Sequence, residues 1–201
     1  MIQNLDVYLW NHKVGSLVTY KERYSEKICF YFERGFLDKG YDIAPLRASI
    51  NSASIKNGLP VYAESGKIFG GLPSFIADSL PDHWGNRVFN EWAKTNGIST
   101  KNLSALDRLA YIGRRGMGAL EFLPSAAEEM EQPFKVEIAE LYKLAQSALN
   151  EAKNFKAEIY PDIMIESLFK VGTSAGGRRP KAIINLNRET NECYSGQVAT
   201  P

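Results

Sequence analysis

Cysteine is nearly absent. Cys29 and Cys193 stand far apart and without metal-ligand spacing, which excludes a disulfide scaffold and a cysteine-ligated zinc site, and the two read as free thiols in a reducing cytoplasm. Histidine is as scarce. His12 and His83 have no cysteine or paired carboxylate beside them, so no metal-binding cluster is expected, and no nucleophile elbow completes a Ser-His-Asp hydrolase around Asp82 and His83. Charge of one sign is lacking too: a formal net charge of +1 gives no global electrostatic reason for direct binding to nucleic acid or to an anionic membrane. No apolar run approaches the roughly 18 residues of a membrane span, and the start carries no basic-then-apolar leader. The expectation is a soluble, cytoplasmic protein with no membrane partner. Internal repeats and low-complexity tracts are also missing.

What is there is globular. The 201 residues are 44% hydrophobic and 23% charged, enough for one large domain or two modest ones. Leu5, Val7 and Leu9 alternate with Asp6, Tyr8 and Trp10, the period of a half-buried strand. A second run covers 14–20 after Asn11-His12-Lys13, where a tight hairpin turn is expected. Ile28, Phe30 and Phe32 alternate in a third strand. From 45 to 60 the pattern is irregular.

Pro81 is placed at the first position of a helix, with Asp82 in its first turn. Trp84, Val88 and Trp92 recur every four residues as its buried stripe, and Asn96-Gly97 stops it. Ser104 to Asp107 resembles a capping box that opens a short helix carrying Leu106, Leu109 and Ile112, ended by Gly113. Residues 118–123 read as a strand. Polar 124–133 marks the boundary between two domains, 1–125 and 134–201. Beyond it, Ile138, Leu141, Tyr142, Ala145, Ala148, Leu149 and Ala152 fit one helical face, Pro161 opens a further helix through Phe169, and 181–186 reads as a strand. The fold class is therefore α+β: a small antiparallel sheet with helices, then the beginning of a second region.

The chemistry concentrates near residue 175. Gly172, Thr173, Ser174, Ala175, Gly176, Gly177, Arg178, Arg179, Pro180 and Lys181 form a Gly-rich, basic stretch. Small residues let successive N–H groups close on an anion, and two arginines and a lysine suit phosphate oxygens. A Walker A loop ends in Gly-Lys-Ser/Thr and feeds a helix. Here the lysine leads into Ala182-Ile183-Ile184, which is strand-like and fits a kinase-type nucleotide loop better. The plain alternative is an ordinary turn with solvated cations. The other basic pair, Arg114 and Arg115, reads as solvated or acid-paired, or else as facing a partner.

Residues 174–181 resemble the loop of HipA-type serine/threonine kinases, the toxin halves of bacterial toxin–antitoxin pairs. The opening stretch 7–17 and the stretches 79–85 and 112–120 resemble the N-terminal subdomain of the same family, in the same order. The resemblance implies an ATP- and Mg²⁺-dependent kinase. Thr173, Ser174, Ala175, Gly176, Gly177, Arg178, Arg179 and Lys181 would hold the ATP phosphates, and Ser174 would be the self-inhibitory autophosphorylation site. A phosphate there adds nearly two negative charges beside the triphosphate. The implied partners are a protein substrate and a helix-turn-helix antitoxin, which would bring the protein to operator DNA only indirectly. His12 departs from the family, which often has Gly in that turn.

In that family the catalytic aspartate and the metal ligands follow the Gly-rich loop. No histidine-aspartate-asparagine loop appears after Lys181, so no catalytic residue and no metal ligand is assigned in this chain. The chain is expected to be the front part of such a kinase and to be inactive alone. The competing readings are a non-catalytic module that binds an antitoxin or a separate kinase chain, and a standalone ATP sensor.

Overall fold

The computed structural model describes residues 2–23, 25–64, 69–127, 131, 134–143 and 183–195. They fall in two compact units that interleave along the chain: 1–80 with 103–113 and 118–126, and 81–102 with 114–117 and 127–201.

The first unit is built on a five-stranded antiparallel sheet in the order β4-β3-β2-β1-β5. Its strands are β1 (Asn4–Leu9), β2 (His12–Glu22), β3 (Ser25–Phe32), β4 (Val61–Tyr62) and β5 (Leu120–Leu123). Together with the helices this makes the fold α+β. Alternation works as the sequence implies: Leu5, Val7 and Leu9 are buried, and Phe30 is buried between half-buried Ile28 and Phe32. These side chains meet Phe36, Leu72, Ile76, Leu106, Leu109 and Phe122 in one core. A T-shaped Phe30–Phe32 pair and a stacked Phe32–Phe75 pair extend it, geometries that aromatic rings favour.

The first hairpin turns one residue earlier than the sequence implies. Trp10 and Asn11 take φ of 48° and 65°, and His12 already lies in β2 opposite Leu9. A two-residue hairpin loop of this hand needs positive φ at both central positions. Asn11 suits that. Trp10 accepts it because a one-residue slip would turn Leu5, Val7 and Leu9 to the other face. The β1–β2 register then breaks at Val7/Tyr8, where Val7 pairs Gly15 and Tyr8 pairs Lys13. Val14 is the extra residue, and its carbonyl accepts from Glu33 N at 2.8 Å.

Three four-residue helices, α1 (Arg34–Leu37), α2 (Ala53–Lys56) and α3 (Ser74–Ala77), lie in segments of little periodicity. Each buries one apolar side chain: Phe36, Ile55 and Ile76. Glu64 fixes the start of α3, accepting from Ser74 N at 2.9 Å and Ser74 Oγ at 2.5 Å. The helix α5 (Ala105–Ile112) begins with a complete capping box and ends at Gly113, φ 56°.

In the second unit, α4 spans His83–Thr95. Asp82 is its N-cap, accepting from Gly85 N at 2.9 Å, so Pro81 precedes the helix instead of opening it. A carboxylate at that position satisfies an otherwise orphan N–H, which a proline cannot do. The stripe Trp84, Val88 and Trp92 is buried, with Phe89 beside Trp92. Asn96 caps the helix and Gly97, at φ 70°, ends it. The unit also holds a hairpin of β6 (Ile184–Asn187) and β7 (Glu192–Ser195).

Candidate functional site

All the residues assigned to phosphate binding (Thr173, Ser174, Ala175, Gly176, Gly177, Arg178, Arg179 and Lys181) lie outside the described residues, as does the expected helix from Pro161 to Phe169. The described part of this region begins just after the loop. β6 continues the chain as a strand, starting at Ile184 where the sequence pattern places it from 181. Asn187 folds the hairpin: its Oδ1 accepts from Glu189 N at 2.9 Å and Thr190 N at 3.2 Å. Asn191 completes the turn at φ 62°, a conformation asparagine tolerates.

A third segment lies along β7. Val136 N donates to Cys193 O at 2.7 Å, and Ser195 N donates to Phe134 O at 2.9 Å. Phe134 N donates to Ser195 Oγ at 3.1 Å. The strand that leaves the Gly-rich stretch therefore belongs to an antiparallel ribbon. Val136 and Cys193 form its small core, with Phe134 and Leu141 packed on them. Of the helical face expected from Ile138, residues 138–143 are described: Leu141 is half-buried, but Ile138 and Tyr142 are exposed.

One polar cluster lies along this ribbon. Lys135 Nζ meets Glu192 Oε1 at 2.8 Å, and the Tyr194 hydroxyl donates to Glu192 Oε2 at 2.9 Å. The hydrogen bond from Lys135 lowers the Glu192 carboxyl, and the same contact raises Lys135. Donating to Glu192 raises the Tyr194 phenol.

The basic pair at 114–115 divides. Arg114 is exposed, and its backbone N–H donates to Glu131 Oε1 at 3.0 Å. Arg115 is 2% exposed, which corrects the reading of it as solvated. Burial brings its guanidinium down to about 10, and the nearby Glu131 charge pulls it back up. Burying a charged side chain is a tertiary event with no local pattern, so the sequence carried no sign of it. His12 and His83 are exposed. Among the described residues, no group of His, Cys, Asp or Glu could hold a metal ion. No helix among them is long and apolar enough to cross a membrane.

In the first unit, the best-built polar site joins the start of β1 to α5. Asp107 Oδ1 accepts from Ile2 N at 2.8 Å, and its Oδ2 accepts from Ser104 N at 2.8 Å and Ser104 Oγ at 2.7 Å. Burial pushes this carboxyl up, but the three donors outweigh it and its pKa falls. The capping-box spacing announces Ser104. Nothing in the sequence announces Ile2.

Residues 5–123 match the family model described as the HipA N-terminal domain. No curated protein matches the chain.

Proposed function

The chain belongs to the HipA N-terminal domain family, and from that premise we propose that it forms the N-terminal part of a HipA-like ATP-dependent serine/threonine kinase toxin. The observation that carries the reading is the matched domain at 5–123 followed, in one chain, by a Gly-rich basic stretch that leads into the β6–β7 hairpin. A nucleotide loop that continues as a strand suits a kinase lobe, in which the loop covers the phosphates, better than a P-loop that opens a helix.

The roles follow from chemistry. Gly176 and Gly177 let the backbone approach the triphosphate. Arg178, Arg179 and Lys181 supply donors for its oxygens. Thr173, Ser174 and Ala175 complete the turn. ATP with Mg²⁺ supplies the transferable phosphoryl group. A phosphate on Ser174 would compete with the triphosphate for the same cations and switch the loop off. Partners under this reading are a protein substrate and a helix-turn-helix antitoxin, with operator DNA reached through the antitoxin.

The sequence holds no aspartate-bearing catalytic loop after Lys181, so the 201 residues alone are expected to transfer no phosphate. The purified chain incubated with labelled ATP and Mg²⁺ should stay unlabelled. Label on Ser174 would refute that half of the proposal. The kinase half is tested on the reading frame beyond Pro201: continuation into an aspartate-bearing catalytic loop supports it, and a stop codon there sinks it in favour of a non-catalytic module. In the continued protein, Lys181→Ala should weaken ATP binding ten-fold or more, the equivalent of one charged hydrogen bond of about 1.5–3 kcal/mol.

A further inference from the structure

We propose that the cavity at the ends of α1 and α2 is a binding site for a small ring-bearing molecule that carries a single carboxylate. The proposal rests on the first unit alone and is independent of the kinase reading.

The cavity holds about 600 Å³. Every residue around it lies between 32 and 58, an unbroken described stretch of the first unit. The chain leaves α1 through Gly40 and α2 through Gly58, at φ 75° and 76°. Their N–H groups donate back to Leu37 O at 3.0 Å and to Ile55 O at 2.9 Å, and Asn57 N and Leu59 N take Ala53 O and Ser54 O. These helix-end carbonyls are thus occupied, and the polar character of the site comes from side chains. A Cβ on either glycine would meet nothing within 4 Å, so the space beside both turns is open.

The floor is apolar. Ile50 and Ile55 are buried there, and Phe32 and Leu37 are half-buried. Phe32 stacks on Phe75 with centroids 6.2 Å apart and meets Phe30 edge-on at 5.0 Å. A ligand ring against the accessible part of Phe32 therefore extends an aromatic cluster already in place. An apolar floor with a few polar groups at the rim is the usual form of a small-molecule site, and the volume falls within the usual range.

Charge on the rim selects the ligand. Arg34 and Lys56 line the cavity and are exposed, and neither side chain has an ion pair or hydrogen bond among the described residues. Asp38, also on the rim, is one helical turn from Arg34 and forms no ion pair with it. Two cations against one carboxylate leave a single net positive charge, which matches one ligand carboxylate and not a phosphate dianion. The Arg34 guanidinium supplies a two-pronged donor for that carboxylate. The amides of Asn51 and Asn57, on the same rim, supply further donors. The bland account is that the two cations are merely solvated beside an apolar hollow. It predicts that the charge of a ligand makes no difference.

The probe is hydrocinnamate, titrated into the isotope-labelled chain at neutral pH and followed by backbone amide NMR shifts. Binding predicts saturable shifts centred on Gly40, Asn57 and Gly58. The Arg34→Gln/Lys56→Gln double variant, altered only at exposed side chains, should bind roughly ten-fold more weakly, the equivalent of one charged hydrogen bond. Asp38→Asn removes the opposing charge and should bind about two- to three-fold more tightly, which a purely structural role would not produce. Hydrocinnamyl alcohol, which lacks the charge, should lose the same roughly ten-fold on the unaltered protein. Acetate, which lacks the ring, should give no saturable shift. Equal affinity for the alcohol and the carboxylate, or for the double variant and the unaltered protein, overturns the proposal. So does tighter binding of phenyl phosphate than of hydrocinnamate, or a set of shifts centred elsewhere.

Discussion

Removing the Asp107 carboxylate should unfasten the first unit at two points at once. In Asp107→Ala, Ile2 N, Ser104 N and Ser104 Oγ each lose an acceptor at 2.7–2.8 Å. Hydrogen bonds to a charged group contribute about 1.5–3 kcal/mol each when buried, less where water can replace the partner. Asp107 itself is 5% exposed, but its donors are only partly buried. The lower end for each of three bonds suggests a loss of about 3–5 kcal/mol, a large share of the 5–15 kcal/mol typical of a domain. Ser104→Ala removes only the cap side and should cost about 1 kcal/mol. Asp107→Asn should not rescue, because its amide can keep one acceptor for Ile2 but then turns a donor toward the two donors of Ser104.

Urea unfolding across pH checks the reasoning. The Asp107 pKa is lowered in the folded state, so its contribution is complete above the unfolded value of about 3.9 and is lost as pH falls from there through the folded value. The gap between wild type and Asp107→Ala should therefore be widest near neutrality and shrink progressively below about pH 4. A gap under 1 kcal/mol at pH 7, or one that does not change on acidification, would refute the account.

Other substitutions test separate parts of the structure. Gly15→Ala should destabilise by at least the 1–3 kcal/mol typical of overpacking, because the added Cβ would overlap the Tyr31 carbonyl oxygen and meet Phe30 Cζ at 2.5 Å; a urea midpoint within error of wild type would contradict it. Asp82→Ala should cost about 1 kcal/mol, and Asp82→Ser should recover most of it, as expected of an N-cap. Lys13→Met should narrow the acid stability of the first unit. Lys13 and Ser16 hold Asp6 below its ordinary value against burial, and that stability is lost as pH falls through the folded pKa.

Much of the first unit is legible because its signals are local. Leu5, Val7 and Leu9 show their strand through period two, Trp84, Val88 and Trp92 show α4 through period four, and Ser104 with Asp107 shows the start of α5. Local turn chemistry favours Asn11-His12-Lys13, whereas the hairpin turns at Trp10-Asn11 because the buried set of β1 decides the register. The four-residue helices α1 to α3 left no trace, since one buried side chain each makes no period. The Ile2–Asp107 bond joins residues 105 apart, and Arg115 burial depends on what surrounds it, so neither had a local signature. The expected phosphate loop rests on composition and order alone, because 173–181 lie outside the described residues, and the nearest described element is β6.

The fate of the three tryptophans has an optical consequence. Trp84 and Trp92 are buried in the second unit, while Trp10, at the tip of the first hairpin, is 70% exposed. Iodide should quench Trp10 in the native protein and spare the other two. The quencher-resistant emission then reports the second unit, and the iodide-sensitive fraction reports the hairpin of the first. Melting of each unit can thus be followed in one cuvette, with no label attached.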